Sequence, residues 1–171
     1  TPIHSSAASD VYKRQRLSAI FGRWEYDTGV RDTLSAPMQA TLLALKGATA
    51  LIDRKEERDW TYSRDVARAL YKLANHENVN SSLYNISSGK TWSVFDWCAV
   101  LKKSYPDFNY RLCEFGEVPN IDLFGTRDRI KMSPDRFLCD IGYTLSEDLN
   151  EIFKDFKIWL NESNGFWNLE P

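Results

Sequence analysis

The residues best placed to do chemistry lie between Glu57 and Leu70, in the run Glu-Arg-Asp-Trp-Thr-Tyr-Ser-Arg-Asp-Val-Ala-Arg-Ala-Leu. Arg58 sets a planar guanidinium, able to grip paired oxygens bidentately, ahead of an aromatic, β-prone tripeptide. A polar Ser-Arg-Asp step follows, then a helix with its apolar face at Val66, Ala67, Leu70 and Leu73. The rival reading of Arg58 is a turn ion pair with Asp59, worth under about 1 kcal/mol. Other chemistries have little to draw on. His4 and His76 are the only histidines, too few for a zinc site or a His-based triad, and Cys98, Cys113 and Cys139 lack metal-ligand spacing. No two glycines stand close enough for the turn that brings a dinucleotide pyrophosphate onto a helix N-terminus.

The elements that must position these residues follow from pattern and punctuation. Arg16–Phe21 is short, apolar and stopped by Gly22, as suits a buried strand. A loop rich in aromatic and charged residues runs from Arg23 to Thr33. Ser35 caps a helix over Pro37–Leu45, with Gly47 just past its end. Ala48–Ile52 and Trp60–Tyr62 are strands flanking the charged turn Asp53–Glu57. A helix over Asp65–Leu73 precedes a strand at Leu83–Ile86. Ser93 and Asp96 form a capping box for a helix that ends before Pro106. Tyr110–Cys113 is a further strand, and Ser133-Pro134 opens a short helix ended by Gly142. Ser146 is expected to cap the last helix, whose apolar positions Leu149, Ile152, Phe153, Phe156 and Trp159 follow 3.6 periodicity. Alternating strands and helices indicate an α/β chain.

With 171 residues, 43% of them hydrophobic, the chain can bury one core. A formal net charge of −2 and the lack of any Lys/Arg block argue against nucleic-acid or membrane partners. No apolar run approaches the ~18 residues of a membrane span. Three scattered cysteines suit a reduced, cytoplasmic compartment. Residues 1–15 stand apart: Ser6–Gln15 is similar to the spurious tails that read-adaptor sequence leaves at the ends of assembled genes. The segment reads as a non-native or disordered tail with no signal-peptide core.

Arg58-Asp59-Trp60 followed by Asp65-Val66-Ala67 resembles the Arg-Asp-aromatic, Asp-Val-Ala signature of the extended short-chain dehydrogenase/reductases, the NAD-dependent epimerase/dehydratase family. Four further stretches agree in order. Arg16–Gly22 resembles the sixth strand of that family, with Arg23 where a Pro is usual and Ala19 where Asn or Thr is common. Leu83–Gly89 resembles the seventh strand and its turn, with Ser87 in place of the first Gly. Thr126–Arg136 resembles the segment that carries a second diphosphate arginine, and Cys139–Tyr143 with the closing helix resembles the family's C-terminal end. The resemblance covers Arg16 to about Ser163, with residues 164–171 a tail.

The resemblance implies the last two parallel strands of a Rossmann-type sheet plus a small, mostly helical substrate-binding domain. It implies that Arg58 and Arg129, with Arg127 a close rival of the latter, hold a nucleotide diphosphate, and that Trp24 and Arg31 belong to the sugar-pocket loop. Trp60 reads as core. Family catalysis uses a Tyr-x-x-x-Lys pair to exchange a proton with the sugar hydroxyl, and no tyrosine of this chain has Lys four residues on. The chain is therefore expected to be the C-terminal, substrate-side fragment, with no catalytic or metal-binding residue, of a nucleotide-sugar epimerase or dehydratase that uses NAD or NADP. The cofactor is not expected to bind this chain alone, and the resemblance leaves a homodimer open for the intact enzyme. The alternatives are a carbonyl reductase of the same superfamily and a non-catalytic interaction domain.

Overall fold

The computed structural model describes residues 14–27, 34–77, 79–125 and 130–163. The architecture of the described residues is mixed α/β, with short paired strands and five helices.

The chain enters as β1 (Arg14–Leu17), breaks at Ser18, and continues as β2 (Ala19–Phe21). The strand read from sequence as Arg16–Phe21 thus begins at Arg14 and divides in two. The division has a cause. β1 lies parallel to β6 (Leu83–Ile86), with Leu17 opposite Ile86, whereas β2 lies parallel to β5 (Trp60–Tyr62), with Ala19 opposite Trp60. The backbone changes partner at Ser18: Ser18 N donates to Ile86 O at 3.3 Å, and Ala19 N to Asp59 O at 3.0 Å. β3 (Thr49–Ile52) pairs in parallel with β8 (Asn109–Leu112). β4 (Glu57–Arg58) pairs antiparallel with β7 (Trp92–Ser93), so the end of the expected charged turn is itself a strand.

α1 (Ala36–Leu45) is capped by Ser35, whose hydroxyl accepts from Met38 N at 3.3 Å. α2 (Ser63–Ala74) follows β5 without a linker. α3 (Val94–Ser104) carries the expected capping box: the Asp96 carboxylate takes Ser93 N at 2.8 Å and Ser93 Oγ at 2.6 Å. α4 (Asp135–Ile141) ends at Gly142, at φ 66°. α5 (Leu149–Glu162) is capped by Asp148, which accepts from Asn150 N and Glu151 N. Ser146, the expected cap, instead donates its backbone N–H to Asp65 on α2 at 3.2 Å. A carboxylate reaches two amides where a hydroxyl reaches one, and it also answers the positive helix end.

The larger core forms around Trp97 of α3, which is fully buried. Phe21, Phe153 and Phe156 meet its ring at centroid distances of 5.1, 5.8 and 6.1 Å, and its Nε1 donates to Thr41 Oγ1 at 3.0 Å. Burying aromatics of this size supplies roughly 25 cal/mol per Å² of apolar surface removed from water. A second cluster packs Val66, Ala69 and Leu73 of α2 against Tyr84, Ile86 and Phe137.

Candidate functional site

The partner change at Ser18 opens a cleft of about 230 Å³ lined by Leu17, Ser18 and Ala19 on one side and by Arg58, Asp59, Ile130 and Met132 on the other. Arg58 ends β4 and Asp59 precedes β5, so strand pairing sets the backbone of both.

Arg58 is only 4% exposed. Its Nη2 is ion-paired with Glu56 and donates to Leu123 O at 2.5 Å and Phe124 O at 3.0 Å. Its guanidinium carbon stands 5.1 Å from the Trp60 ring centroid, and its Nε is buried without a partner among the described residues. The ion pair runs to Glu56, not to Asp59 as the rival reading had it. Glu56 also pairs with Arg54 and so joins two guanidinium groups.

Asp59 is equally buried. Its Oδ2 accepts from Ser87 Oγ at 2.6 Å and from Met132 N at 2.9 Å, which ties β5 to the turn after β6 and to the segment before α4. Ser87 Oγ in turn accepts from Gly89 N at 2.8 Å. Sequence reasoning gave none of these three a role in the site: Asp59 entered only as a rival ion partner of Arg58, Ser87 only as a departure from the turn pattern, and Glu56 not at all. The available signal was Ser87 itself, a hydroxyl standing where the turn pattern carries Gly.

Trp24 lies apart from this cleft, at φ 65°, and meets Trp159 of α5 edge-on with ring centroids 5.5 Å apart. Beside it Arg23 bonds Tyr62 Oη at 2.9 Å and Asp155 Oδ1 at 2.8 Å, while Tyr62 Oη donates to Asp155 Oδ2 at 2.7 Å. Burial pushes the Tyr62 hydroxyl above the usual phenol range, against the pull of Arg23. Gly22, at φ 113°, lies so close to this ring that a Cβ would stand 2.6 Å from it. Trp60 is 5% exposed and lies in the core, as expected. Arg31, Arg127 and Arg129 lie outside the described residues.

With this geometry in view, the sequence model of one family matches. Residues 7–87 match the NAD dependent epimerase/dehydratase family. The resemblance read from Arg58-Asp59-Trp60 and its neighbours is borne out. No curated protein matches. Among solved structures, the chain is similar to ADP-L-glycero-D-manno-heptose-6-epimerase of Helicobacter pylori, at 20% identity and a TM-score of 0.64, over 86% of this chain and 43% of that one. It is similar to UDP-glucose 4-epimerase of Thermotoga maritima, solved with UDP-glucose, at 18% identity and a TM-score of 0.62, over 88% and 46%. It is also similar to dTDP-glucose 4,6-dehydratase of Bacillus anthracis, solved with NAD, at 16% identity and a TM-score of 0.61, over 90% and 45%. At these identities the likeness is one of fold. The chain spans under half the length of each of these structures.

Proposed function

We propose that this chain is the substrate-side part of an NAD-dependent nucleotide-sugar epimerase or dehydratase and supplies the wall that holds the nucleotide diphosphate. The observation that carries the reading is Arg58, a guanidinium fixed by Glu56 and two backbone carbonyls in the wall of a cleft that can admit a ligand. A pre-positioned guanidinium gives charge-assisted hydrogen bonds to phosphate without losing further side-chain freedom. Ile130, which lines the same cleft, directly follows in sequence the second expected arginine, Arg129. Trp24 and Arg31 belong, on this reading, to the loop that meets the sugar.

The described helix ends do not fit the dinucleotide. Pyrophosphate binding uses a helix N-terminus with free amides. Here Asp65, Asp96, Asp135 and Glu151 occupy the first turns of α2 to α5, and the Glu25 carboxylate takes Ser35 N at the start of α1. A second phosphate-bearing group at any of these ends would meet a carboxylate. On this reading the cofactor and the proton-exchanging pair belong to another part of the whole enzyme.

The test is titration of the full chain with UDP. Arg58→Ala should lose on the order of 1.5–3 kcal/mol for each phosphate hydrogen bond removed; equal affinity in parent and variant would reduce Arg58 to a structural tie. One observation favours the carbonyl-reductase alternative, in which Arg58 is only structural: its Nη2 is engaged by three protein groups.

A further inference from the structure

The two oxygens of Asp59 are treated unequally. Oδ2 takes two strong donors, Ser87 Oγ and Met132 N, whereas Oδ1 is buried and accepts from none of the described residues. The residue before it shows the mirror imbalance, since Arg58 Nε is a buried donor with no acceptor among the described residues. Consecutive residues in one cleft wall thus leave an acceptor and a donor unanswered, and they do not answer each other. Buried polar atoms are nearly always paired, and leaving a charged group's atom unpaired is costly.

We propose that Asp59 Oδ1 accepts a hydrogen bond from a sugar hydroxyl of the bound nucleotide sugar, and so reads the neutral polyol beside the charged diphosphate. This rests on the reading of Arg58 given above. The chemistry of the wall selects the class of donor. A phosphate oxygen at Oδ1 would be repelled by the carboxylate, and a cationic donor would lie next to Arg58. A neutral hydroxyl satisfies both neighbours.

Asp59→Asn tests this without dismantling the site. The amide oxygen can keep the hydrogen bonds from Ser87 and Met132, since both partners are donors, which leaves –NH₂ in place of Oδ1. The unanswered acceptor becomes a donor. The full chain and the variant would be titrated calorimetrically with UDP-glucose, UDP and inorganic pyrophosphate, with melting followed in parallel. The variant should melt with the parent, bind UDP-glucose at least roughly tenfold more weakly, and bind pyrophosphate as tightly or more tightly. A matching loss with UDP assigns the ribose hydroxyls, and a loss confined to UDP-glucose assigns the hexose; either supports the proposal. Unchanged UDP-glucose affinity, or pyrophosphate weakened in step with UDP-glucose, overturns it. Failure of the Arg58 reading is separable, because Arg58→Ala would then bind pyrophosphate like the parent. Should Asp59→Asn not fold, the parent is titrated with the 2′- and 3′-deoxy forms of UDP and the 2- and 3-deoxy forms of UDP-glucose: a roughly tenfold loss for one of them supports the proposal, and none overturns it.

Discussion

Arg23, in the turn after β2, is locked to Asp155 of α5: its Nη2 stands 2.8 Å from Oδ1 and 2.9 Å from the backbone carbonyl of Asp155. Arg64 joins Asp155 from α2, and Tyr62 Oη closes the cluster. One carboxylate thereby fastens the closing helix to β5, to α2 and to the turn after β2. The family pattern has Pro at the place of Arg23, so this chain has exchanged a rigid turn for an ion-paired one.

Arg23→Pro should restore the usual backbone yet destabilise this chain, because Asp155 and Tyr62 both lose a partner. The expected cost is about 1–3 kcal/mol, the penalty for leaving partly buried polar groups unsatisfied. Asp155→Ala should cost at least as much, since two guanidinium groups and a phenol are released. Chemical denaturation of the two variants and the parent checks the order, and variants as stable as the parent would show the cluster to be incidental.

The cysteines should separate by reactivity. Burial pushes the Cys98 thiol up to about 12, and Cys113 is raised too, by burial first and then by the neighbouring Glu117 carboxylate. The thiolate is the reacting form. In the native chain at pH 8, iodoacetamide should therefore label the exposed Cys139 first, Cys113 slowly and Cys98 only on unfolding. Mass spectrometry of peptides over time reads the order, and early labelling of Cys98 would contradict the core around Trp97.

Acid should weaken the fold through particular carboxylates. Glu117 is held down to about 2, chiefly by the two Arg111 nitrogens at 2.6 and 2.7 Å, and then by Glu114 N. Asp140 is lowered by Tyr84 and Asn80, and Asp148 by the first amides of α5. A carboxyl group whose pKa is depressed on folding contributes its stability above the unfolded value, about 4.3 for Glu, and loses it as pH falls towards the folded one. The melting temperature should thus fall from about pH 5 down to about pH 2. Glu117→Gln should flatten that decline, and parallel pH curves for parent and variant would exclude the pair as a contributor.

NAD should not bind the full chain measurably, because acidic groups guard the helix starts and no Gly-rich turn is present. Calorimetric titration is the measurement, and saturable micromolar binding would overturn the division of labour proposed between this chain and the rest of the enzyme.

Much of this fold was legible as pattern. Ser35, the Ser93/Asp96 capping box and Gly142 marked helix ends that the structure places within a residue or two, because caps are local chemistry. Leu83–Ile86 and Trp60–Tyr62 were read to the residue. What escaped was non-local. The break at Ser18 depends on two strands that are far off in sequence, and β4 exists only because Trp92 lies opposite Arg58. The same holds for the site. Arg58 was visible through its neighbours, and its ion partner Glu56 stands only two residues away, but the split duties of the Asp59 oxygens required Ser87 and Met132 to be in place.

The strand register carries a consequence for how the chain folds. Arg14 lies opposite Leu83, Ala19 opposite Trp60, and Thr49 opposite Asn109. Among the described residues no parallel pair joins neighbours in sequence, so each of these ladders must close a long loop before its hydrogen bonds return anything, and high contact order of this kind slows folding. The helices, built on local caps and turns, would form early around Trp97, and the ladders would zip late. The cleft at Ser18 needs two ladders at once and would be among the last features of the molecule to exist.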